Sequence, residues 1–476
     1  MKRGPGFDTP GRYRYGMVRR PKTAALPSYQ VVSLFSGAMG LDIGLEQTGR
    51  FVTRAAVEKI PAFCETIVVN RDKGLTSDPS MKVYEADISK LDPLQVLDDI
   101  GLKPGELDLL VGGPPCQAFS TSGRRQAVQD PRGTMLWEFL RFVDVMQPKF
   151  FLMENVRGLM SAALRHRPIS ERPDKGGPPL DRDEQPGSVV EQFIEDLHGA
   201  YRLDVFEVNA VNYGAPQLRE RVLFVGNRFG QIVDFPNPTH GQSATHSSKN
   251  VPVLFEEDLP VLLPHKTLGQ ALEGIEDSNP VILDFSPRKK SFLSLVPPGS
   301  NWRSLPPEVA QESMGSAYTA KGGRSGWWRR LSMDLPSPTI VTMPNHASTS
   351  LCHPTETRAL TLRECARVQE FPDDWEFAGK AMEQFAQVGN AVPVRLGRVA
   401  GEVLAAQLDL VRGLRLQQST GAPLIRHIYI QSHVRTRQWF KNGMTVVRSE
   451  GDDSSNYQAP RTLRRETSGS KSSAAI

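Results

Sequence analysis

One cysteine stands where an apolar stretch of the chain gives way to a polar one, in the segment LDLLVGGPPCQAFSTSGRR at 107–125. A lone cysteine is more often a small buried hydrophobic residue than a reactive group. Cys116, however, follows a predicted strand through a Gly/Pro turn, and the polar Gln117 and Ser120 come after it. This setting would expose the thiol at the ligand-binding edge of a sheet and predicts a nucleophile. No histidine is near it in sequence, so a Cys–His dyad would need a distant partner such as His353.

Three further charged side chains could act on the ring of a bound substrate. Glu154 directly follows the apolar run FFLM, and it is either a solvated acid at a strand end or a carboxyl group that donates to a ring nitrogen. Arg219 and Arg221 stand at alternate positions entering a strand and so share one face. Two guanidinium groups on one face suit a phosphate or the carbonyl oxygen of a base. The alternative is that they form ion pairs with Glu207 or Glu220.

A second group of residues favours a nucleoside pocket. The segment FSGAMGLDIG at 35–44 places Gly37 and Gly40 in a tight turn that leads into a helix, whose N-terminus would face the ligand. Glu58 closes the next predicted strand, where an acid can bind ribose hydroxyls, and Asp87 closes the third, where it can accept from an exocyclic amine. Each acid alone is more often a solvated strand end. Because the sequence has neither GxGxxG nor a P-loop, a dinucleotide or ATP is disfavoured.

These residues need a scaffold that brings strand ends together, and the pattern of the chain predicts one. From residue 30 short apolar runs alternate with helical patterns, which is typical of a doubly wound, mostly parallel α/β sheet. In such a sheet ligands bind at the carboxyl ends of the strands. The predicted strands are 31–35, 51–58, 82–88, 107–113, 149–155, 204–211 and 221–226, and the main predicted helices are 134–147, 189–197, 360–371 and 392–408.

The same pattern divides the chain into domains. It stops near residue 230, where irregular, aromatic and basic segments such as VPPGSNWRSLPP and KGGRSGWWRRL predict a separate small domain of loops and short strands. The charged, Pro/Gly-rich segment 160–187 is predicted to be a mobile insertion. The expected division is a basic N-terminal arm at 1–29, the first part of the α/β domain at 30–230, the small domain at 231–350, a completion of the α/β domain by helices at 351–410, and a basic, largely disordered tail at 411–476.

Charge is distributed unevenly over the 476 residues, whose formal net charge is +4. Residues 1–29 carry a net charge of +6 and residues 410–476 one of +7, so the body between them is acidic at −9. Within that body, 286–333 has a net charge of +6. Basic extremities and one basic internal segment suit a polyanionic partner. The alternative is that these are solvated tails and a solvated loop.

Composition excludes several other classes of protein. With 39% hydrophobic residues the chain can build a proper core, and no apolar run approaches the length of a membrane span. The arginine-rich first thirty residues contain no apolar stretch of the kind found in secretory signals. The four cysteines show no CxxC spacing, so neither a metal site nor a disulfide framework is predicted, and a reducing cytoplasm fits best.

Taken in order, the motifs resemble those of the DNA (cytosine-5) methyltransferases, and the resemblance covers roughly residues 30–410. A Pro-Cys-Gln element followed by Glu-Asn-Val and then QxRxR on one α/β chain is highly specific. The matching segments are FSGAMGLDIG, Glu58, ADI at 86–88, GGPPCQAFSTSG, DPRGTMLWEFLR, MENVRGL, QLRERVLFVG, LTLRECARVQEFPDDW and QVGNAVP. The resemblance implies the S-adenosylmethionine-dependent methyltransferase fold, with the small domain as a target-recognition region.

The resemblance also assigns roles. Cys116 would attack C6 of a cytosine flipped out of duplex DNA, Glu154 would hold N3 and the exocyclic amine, and Arg221 would hold O2 with Arg219 close behind. The base that removes the C5 proton is not identified by any motif. Residues expected to bind S-adenosylmethionine are Phe35, Gly37, Gly40, Glu58, Asp87, Ile88, Pro115, Met135 and Asn390.

DNA contacts are expected from two regions. The loop after Cys116 would close over the flipped-out base, with its arginines on the phosphates. Arginines of the target-recognition region could read guanine edges or contact phosphates, whereas its tryptophans, Trp302, Trp327 and Trp328, are expected to form its core. The residues expected to bind DNA are Gln117, Ser120, Ser122, Arg124, Arg324, Arg329 and Arg330.

Three positions depart from the family pattern and bear on the cofactor pocket. Met39 stands where a second glycine is frequent, and Ala391 where serine is frequent. Lys59 follows Glu58 where a hydrophobic residue often covers the adenine, a role that its aliphatic stem or Ile60 could take instead. These departures leave the expected roles of the catalytic residues unchanged.

The resemblance implies a monomeric bacterial enzyme in the cytoplasm, associated with the nucleoid. It leaves room for a separate restriction endonuclease encoded alongside and predicts modification without cleavage by this chain. The nearest alternative is a tRNA cytosine-5 methyltransferase of the same architecture, which would share the thiol chemistry. A DNA-binding regulator with a methylase fold is an alternative of a different class, and a NAD-linked dehydrogenase is the third.

Overall fold

The computed structural model of the protein describes Leu26 and the ranges 28–115, 135–241, 262–320, 324–414 and 424–429. Most of the basic N-terminal arm and most of the C-terminal tail lie outside these ranges. The same is true of five predicted site residues, which are Cys116, Gln117, Ser120, Ser122 and Arg124.

One mixed sheet forms the centre of the protein. In chain order the strands are β1 (Tyr29–Leu34), β2 (Phe51–Glu58), β3 (Lys82–Glu85), β4 (Leu109–Gly112), β5 (Phe150–Val156), β6 (Arg202–Asn209), β7 (Glu220–Asn227), β8 (His240–Gly241), β9 (Leu263–Pro264) and β10 (Leu424–Tyr429). The main sheet has the order β10-β6-β7-β5-β4-β1-β2-β3, and β8 and β9 pair separately. Within the main sheet only β7 is antiparallel to its neighbours. All seven predicted strands are therefore present, and the predicted fold class is confirmed.

Both faces of the sheet are covered, which explains why the strands are apolar runs without polar alternation. Along β1, Val32 and Leu34 point into one core, while Val31 points into the other. The first core contains α4 and α5, and the second contains α1 and α11. The helices are α1 (Gly40–Glu46), α2 (Pro61–Asp72), α3 (Pro93–Asp99), α4 (Met135–Met146), α5 (Ser188–Asp196), α6 (Leu268–Leu272), α7 (Pro287–Leu293), α8 (Pro307–Met314), α9 (Leu362–Val368), α10 (Ala381–Asn390) and α11 (Val394–Val411). None of the helices described is long and apolar enough to cross a membrane.

Helix α11, which comes late in the chain, makes a close contact with α1. A Cβ atom on Gly44 would lie 2.2 Å from the carbonyl oxygen of Val394, and one on Gly397 would lie 2.5 Å from that of Leu41. The two helices can therefore cross this closely only because glycine stands at the contact. This contact fixes the first turn of α1, which follows the predicted cofactor turn.

The small domain has its own core, formed mainly between residues 282 and 359. Trp328 is buried in it, and Trp302 and Trp327 pack against it, as the sequence predicts. Loops and short strands were expected here, but α7 and α8 are helical. Each begins with proline at its first position, and Ser286 caps α7. Helices of seven and eight residues are too short to show a helical period in the sequence.

The small domain is attached to the segment that leads into β7. The amide of Leu218 donates to the carbonyl oxygen of Ser337 at 2.8 Å, and the amide of Ser337 donates to that of Pro216 at 2.8 Å. The Thr339 hydroxyl donates to the carbonyl oxygen of Leu218 at 2.6 Å. The segment around 337–340 is thus paired with the QLRER segment and positions one domain against the other.

Two further segments lie beside the sheet. The segment 160–187, predicted to be a mobile insertion, is built around three short 3-10 helices and an ion pair between Arg167 and Glu184. Strand β10, which comes from the C-terminal tail, extends the sheet beyond β6. Glu207 on β6 is buried between Arg157, at 2.7 Å, and His427 on β10, at 3.0 Å. The ion pair with Arg157 and the hydrogen bond with His427 explain how this buried carboxylate is tolerated.

Candidate active site

The predicted site residues that the structure describes gather at one edge of the sheet. The chain order reverses between β1 and β4, and the carboxyl ends of both strands, with those of β2 and β5, lie at this edge. Such a reversal opens a crevice in which α/β proteins bind ligands. Because β7 runs antiparallel to β5, its first residues also lie here, where Arg221 is paired with Val156.

Glu58 organises the turn after β1. Its carboxylate accepts the amide of Gly37 at 3.0 Å on one oxygen, and those of Lys59 at 2.8 Å and Ile60 at 3.0 Å on the other. A carboxylate has about four acceptor positions, so these three bonds leave capacity for a ligand hydroxyl. The side chain is buried at the end of β2 and is therefore fixed before any ligand binds.

The turn itself has an unusual backbone. Phe35 and Met39 have φ values of 53° and 63°, in the left-handed region, and Gly37 between them has a φ of 55°. Non-glycine residues hold such a conformation only where the surroundings fix it, and such strain is frequent at functional sites. Met39 therefore adopts the left-handed conformation although it is not glycine, the residue that is frequent at this position in the family pattern. Gly40 has another reason to be glycine, since a Cβ there would lie 2.4 Å from the carbonyl oxygen of Val392.

Asp87 lies after β3 and is held as an anion. The Lys59 ammonium donates to its Oδ2 at 2.8 Å, and the Ser89 hydroxyl and amide donate to its Oδ1. These contacts, that of Lys59 first, lower the pKa of Asp87 to about 2. Lys59 thus lies directly beside the acid predicted to meet the adenine, and Ile88, next in the chain, is buried in the core below.

Glu154 and Arg221 form a buried ion pair at the centre of the edge. Arg221 is opposite Val156 in the strand pair, so its side chain reaches diagonally across to the carboxylate of Glu154. Both side chains are about one-tenth exposed. The sequence left open pairing of this arginine with Glu207 or Glu220, but those acids contact Arg157.

The residues before Cys116 pack directly against this pair. A Cβ on Gly113 would lie 3.2 Å from Oε2 of Glu154, so the absence of a side chain gives the carboxylate room. The side-chain amide of Asn155 donates to the carbonyl oxygen of Pro114 at 3.2 Å. The chain is thereby held as far as Pro114, two residues before Cys116.

Arg219 lies deeper than Arg221. Its guanidinium donates to the carbonyl oxygens of Ile340 and Gly389, each at 3.0 Å. Burial lowers its pKa well below the usual value, the charge of Arg221 adds to this, and that of Glu154 opposes it. Arg219 is therefore close behind the ion pair, as the resemblance implies, and it also links the β7 strand to two distant segments.

The remaining predicted site residues differ in how exposed their side chains are. Pro115 and Asn390 are exposed, and Met135 is half-buried at the start of α4. Arg324 is half-buried in the small domain. Arg329 is buried and donates to the carbonyl oxygen of Ser350 at 3.2 Å, and burial lowers its pKa to about 10.

Arg330 is partly exposed but is also bound to the main chain. It donates to the carbonyl oxygens of Pro354 at 3.0 Å and Val296 at 3.4 Å. Arg329 and Arg330 thus both make contacts that hold the small domain together.

Two polar residues that sequence reasoning did not select also position the site. Asn209 accepts the amide of Arg219 on its side-chain oxygen at 2.9 Å. Gln369 accepts from Gln217 at 2.6 Å and donates to the carbonyl oxygen of Val388 at 2.6 Å. Both are fully or nearly fully buried. Neither Asn209 nor Gln369 stands in a recognisable motif, because a buried amide has no characteristic spacing. Only Gln217, the partner of Gln369, belongs to one, the QxRxR segment.

Known proteins of one family match most of the chain. The family model for C-5 cytosine-specific DNA methylases matches residues 29–405. The chain is 35% identical over 387 residues to type II methyltransferase M.PspPI of Psychrobacter sp. (strain TA137), covering 80% of each chain. It is 34% identical over 382 residues to type II methyltransferase M.Sau96I of Staphylococcus aureus, covering 80% of this chain and 76% of the relative.

A solved structure supports the fold alone. It is that of a prophage-encoded E. coli protein described as a DNA modification methyltransferase, with a TM-score of 0.51 and 23% identity over 81% of this chain and 100% of the other. The family model and the type II relatives both extend over most of the chain, and the family model includes the residues of the Glu58 turn and the Glu154–Arg221 pair. The chain therefore belongs to the C-5 cytosine-specific DNA methylases and is a DNA (cytosine-5) methyltransferase.

Proposed function

We propose that the protein transfers a methyl group from S-adenosylmethionine to C5 of a cytosine flipped out of a specific duplex DNA sequence, through a covalent bond between Cys116 and C6. The observation that carries the proposal is the buried Glu154–Arg221 pair, against which the chain leading to Cys116 is packed. A cytosine can reach this buried pair only if it leaves the base stack of the duplex.

The chemistry explains why the pair is needed. C6 of cytosine is a poor electrophile until negative charge can spread into the ring. A proton taken up between the Glu154 carboxylate and N3, together with the cation of Arg221 at O2, stabilises that charge as it develops. The thiolate of Cys116 forms the bond to C6, which makes C5 a nucleophile. After methyl transfer a base removes the C5 proton, the electron pair re-forms the C5–C6 double bond, and the thiolate leaves.

The turn after β1 suits S-adenosylmethionine. Glu58 keeps acceptor capacity for ribose hydroxyls, and Asp87 is an anionic acceptor beside the place expected for the adenine. When bound, this cofactor supplies an electrophilic methyl group. Phe35, Gly37, Pro115, Met135 and Asn390 are proposed to form the remaining walls, since all except Asn390 adjoin the ends of β1 and β4 or the start of α4 in the chain.

The proposed substrate is duplex DNA with one short recognised sequence. The type II names of the relatives support this substrate and also a restriction endonuclease that works alongside this chain. The basic termini would add sequence-independent affinity that falls as the salt concentration rises. The loop from Gln117 to Arg124, including Ser120 and Ser122, is proposed to contact the DNA around the flipped-out base.

Methyl transfer from labelled S-adenosylmethionine to duplex DNA and to tRNA, measured in parallel, tests this function. We expect label in DNA only, and mapping by bisulfite sequencing should show one short motif. Cys116→Ala should abolish transfer and the covalent adduct with 5-fluorocytosine duplex. Cys365→Ala, which removes a buried core thiol whose pKa is raised by burial, serves as the matched control and should retain both. Label only in tRNA, or an adduct that survives in Cys116→Ala, would contradict the proposal.

A further inference from the structure

Three side chains of the small domain form a cluster that the catalytic chemistry does not use. The guanidinium carbon of Arg303 lies 4.8 Å from the centre of the Trp302 ring, and that of Arg324 lies 5.1 Å from the same centre. The Tyr318 ring meets the indole edge-on at 5.8 Å. We call Trp302, Arg303 and Arg324 the arginine–tryptophan cluster. It places two guanidinium groups over one aromatic ring at the domain surface.

The cluster is held rigidly by the main chain around it. The Trp302 amide donates to the carbonyl oxygen of Trp327 at 3.1 Å, and its indole nitrogen donates to that of Arg324 at 2.8 Å. The amide of Arg303 donates to the side chain of Asn301 at 3.1 Å. Asn301 itself is buried and donates to the carbonyl oxygen of Ser325 at 3.2 Å. The Trp302 ring is therefore positioned before any ligand binds, and the two guanidinium groups lie over it.

The positive charge of the cluster is not neutralised within the part of the chain that the structure describes. Neither arginine forms an ion pair with a described carboxylate, although Arg324 donates to the carbonyl oxygen of Tyr318. Burial lowers the pKa of Arg303, and the like charge of Arg324 lowers it further. Arg324 uses one donor on a main-chain carbonyl oxygen, whereas Arg330 uses donors on two main-chain carbonyl oxygens and Arg329 is buried. The cluster thus presents donors that have no acceptor among the described residues.

We infer that Arg303 and Arg324 read guanine in the recognised DNA sequence, and that Arg329 and Arg330 do not. The inference rests on the proposed function, since it names the residues that select its substrate. A guanidinium fork donates to O6 and N7 of guanine in the major groove, and this contact discriminates between bases only if the fork is held in one orientation. Stacking on Trp302 provides that orientation. A phosphate contact needs charge but not a fixed orientation, so the rigidity of the cluster favours a base over the backbone.

The test is to map methylated cytosines in cellular DNA after expression of the wild-type protein and of single variants. Wild type should show one motif that contains guanine. Arg303→Lys and Arg324→Lys keep the charge but lose the fork, and each should relax the motif at one guanine position, with about 10- to 100-fold less discrimination there. Arg288→Ala is the matched control, because Arg288 lies over the Phe292 ring at 5.6 Å but stands outside the cluster, and it should keep the motif.

The outcomes separate the inference from the proposed function. If wild type methylates no DNA, the proposed function fails, whatever the variants do. If wild type methylates a motif and both lysine variants retain it unchanged, the arginines do not read bases and the inference is wrong. A uniform fall in methylation with an unchanged motif would assign them to phosphates and would also overturn it. Relaxation in Arg288→Ala as well would show that the effect is not specific to the cluster.

Discussion

Glu154 and Asp42 are both buried carboxyl groups, but only Glu154 has a cationic partner among the described residues. Asp42, in the first turn of α1, accepts from the Ser33 hydroxyl at 3.0 Å on Oδ2, and its Oδ1 has no partner in the same part of the chain. Burial raises the pKa of Asp42 to about 7, and the charge of Glu46 adds to this. The raised pKa of Asp42 therefore makes the stability of the protein sensitive to pH at a residue that has no part in the proposed chemistry.

Replacing Asp42 with asparagine should change the dependence of stability on pH. Between about pH 4 and pH 7 the folded state holds a proton that the unfolded state has lost, so the wild type loses stability as pH rises through this window. The asparagine side chain does not ionise and carries no such cost. We expect Asp42→Asn to gain about 2 kcal/mol relative to wild type between roughly pH 5.5 and pH 8. Urea unfolding at both pH values measures this.

The control for that experiment is Asp98→Asn, which changes an exposed acid on α3. Its difference from wild type should be the same at both pH values. An equally constant difference for Asp42→Asn would show that Asp42 is ionised in the folded protein.

For single residues, the sequence predicts which side chains belong to the site better than it predicts which groups those side chains contact. Glu154 and Arg221 could be selected because each borders an apolar run, but their ion pair depends on β5 and β7, far apart in the chain, becoming antiparallel neighbours. Arg329 and Arg330 have the basic composition of a DNA-binding loop, yet they are bound to main-chain carbonyl oxygens. No local pattern distinguishes a cation that binds its own main chain from one that faces a ligand.

At the scale of elements, the strands were predictable because a parallel sheet covered on both faces requires continuous apolar runs. The short helices α6, α7 and α8 were not, since each spans only about two turns or fewer. Helix α1 is also short, and it depends on α11 to hold it. The positions of the turn after β1 and of α11 are therefore coupled through one helix contact.

Gly44→Ala should disrupt this contact. Its Cβ would overlap the main chain of α11, with the nearest atoms 2.2, 2.5 and 2.7 Å away, and main chain cannot move aside as a side chain can. We expect a loss of about 2–4 kcal/mol in the free energy of unfolding and weaker binding of S-adenosylmethionine. Chemical denaturation and calorimetric titration measure the two effects.

Gly49→Ala is the matched control for the helix contact. Gly49 follows the same helix, with a φ of 69° and open space around its Cβ position, so alanine there meets only the backbone cost of about 1–2 kcal/mol. If Gly44→Ala cost no more than Gly49→Ala, the two helices would have to separate freely, contrary to the coupling described above.

At the scale of the whole molecule, one side chain joins three parts that are far apart in sequence. Arg219 lies before β7, and its two carbonyl partners belong to the segment that attaches the small domain and to the end of α10. The small domain contains the arginine–tryptophan cluster. The orientation of that cluster relative to the Glu154–Arg221 pair therefore depends in part on Arg219.

Arg219→Met, which removes both hydrogen bonds and keeps similar volume, should loosen this attachment. We expect the KM for DNA to rise about 10-fold or more, since each of the two lost hydrogen bonds contributes about 1 kcal/mol, with a smaller change in S-adenosylmethionine affinity. Steady-state kinetics and cofactor titration measure this. A fall in kcat with KM unchanged would instead place Arg219 in contact with the reacting base.

The control for that variant lies at the other end of the same strand. Arg228 also donates to a main-chain carbonyl oxygen, that of Gln147 at 3.1 Å, but this bond stays within the first domain. Arg228→Met should leave the KM for DNA near its wild-type value. A similar rise in both variants would mean that loss of any such bond on this strand disturbs DNA binding.

Gly113 is a position where one methyl group would act on the reaction rather than on the fold. Its φ is outside the left-handed region, so strain of that kind does not oppose alanine, and the nearest atom to its missing Cβ among the described residues is the carboxylate oxygen of Glu154, at 3.2 Å. An alanine would have to displace that carboxylate by a few tenths of an ångström, costing rate before stability. A lineage that no longer needed the reaction could therefore fix this change without losing its fold, and one methyl group would begin the path from an enzyme to a protein that only binds DNA.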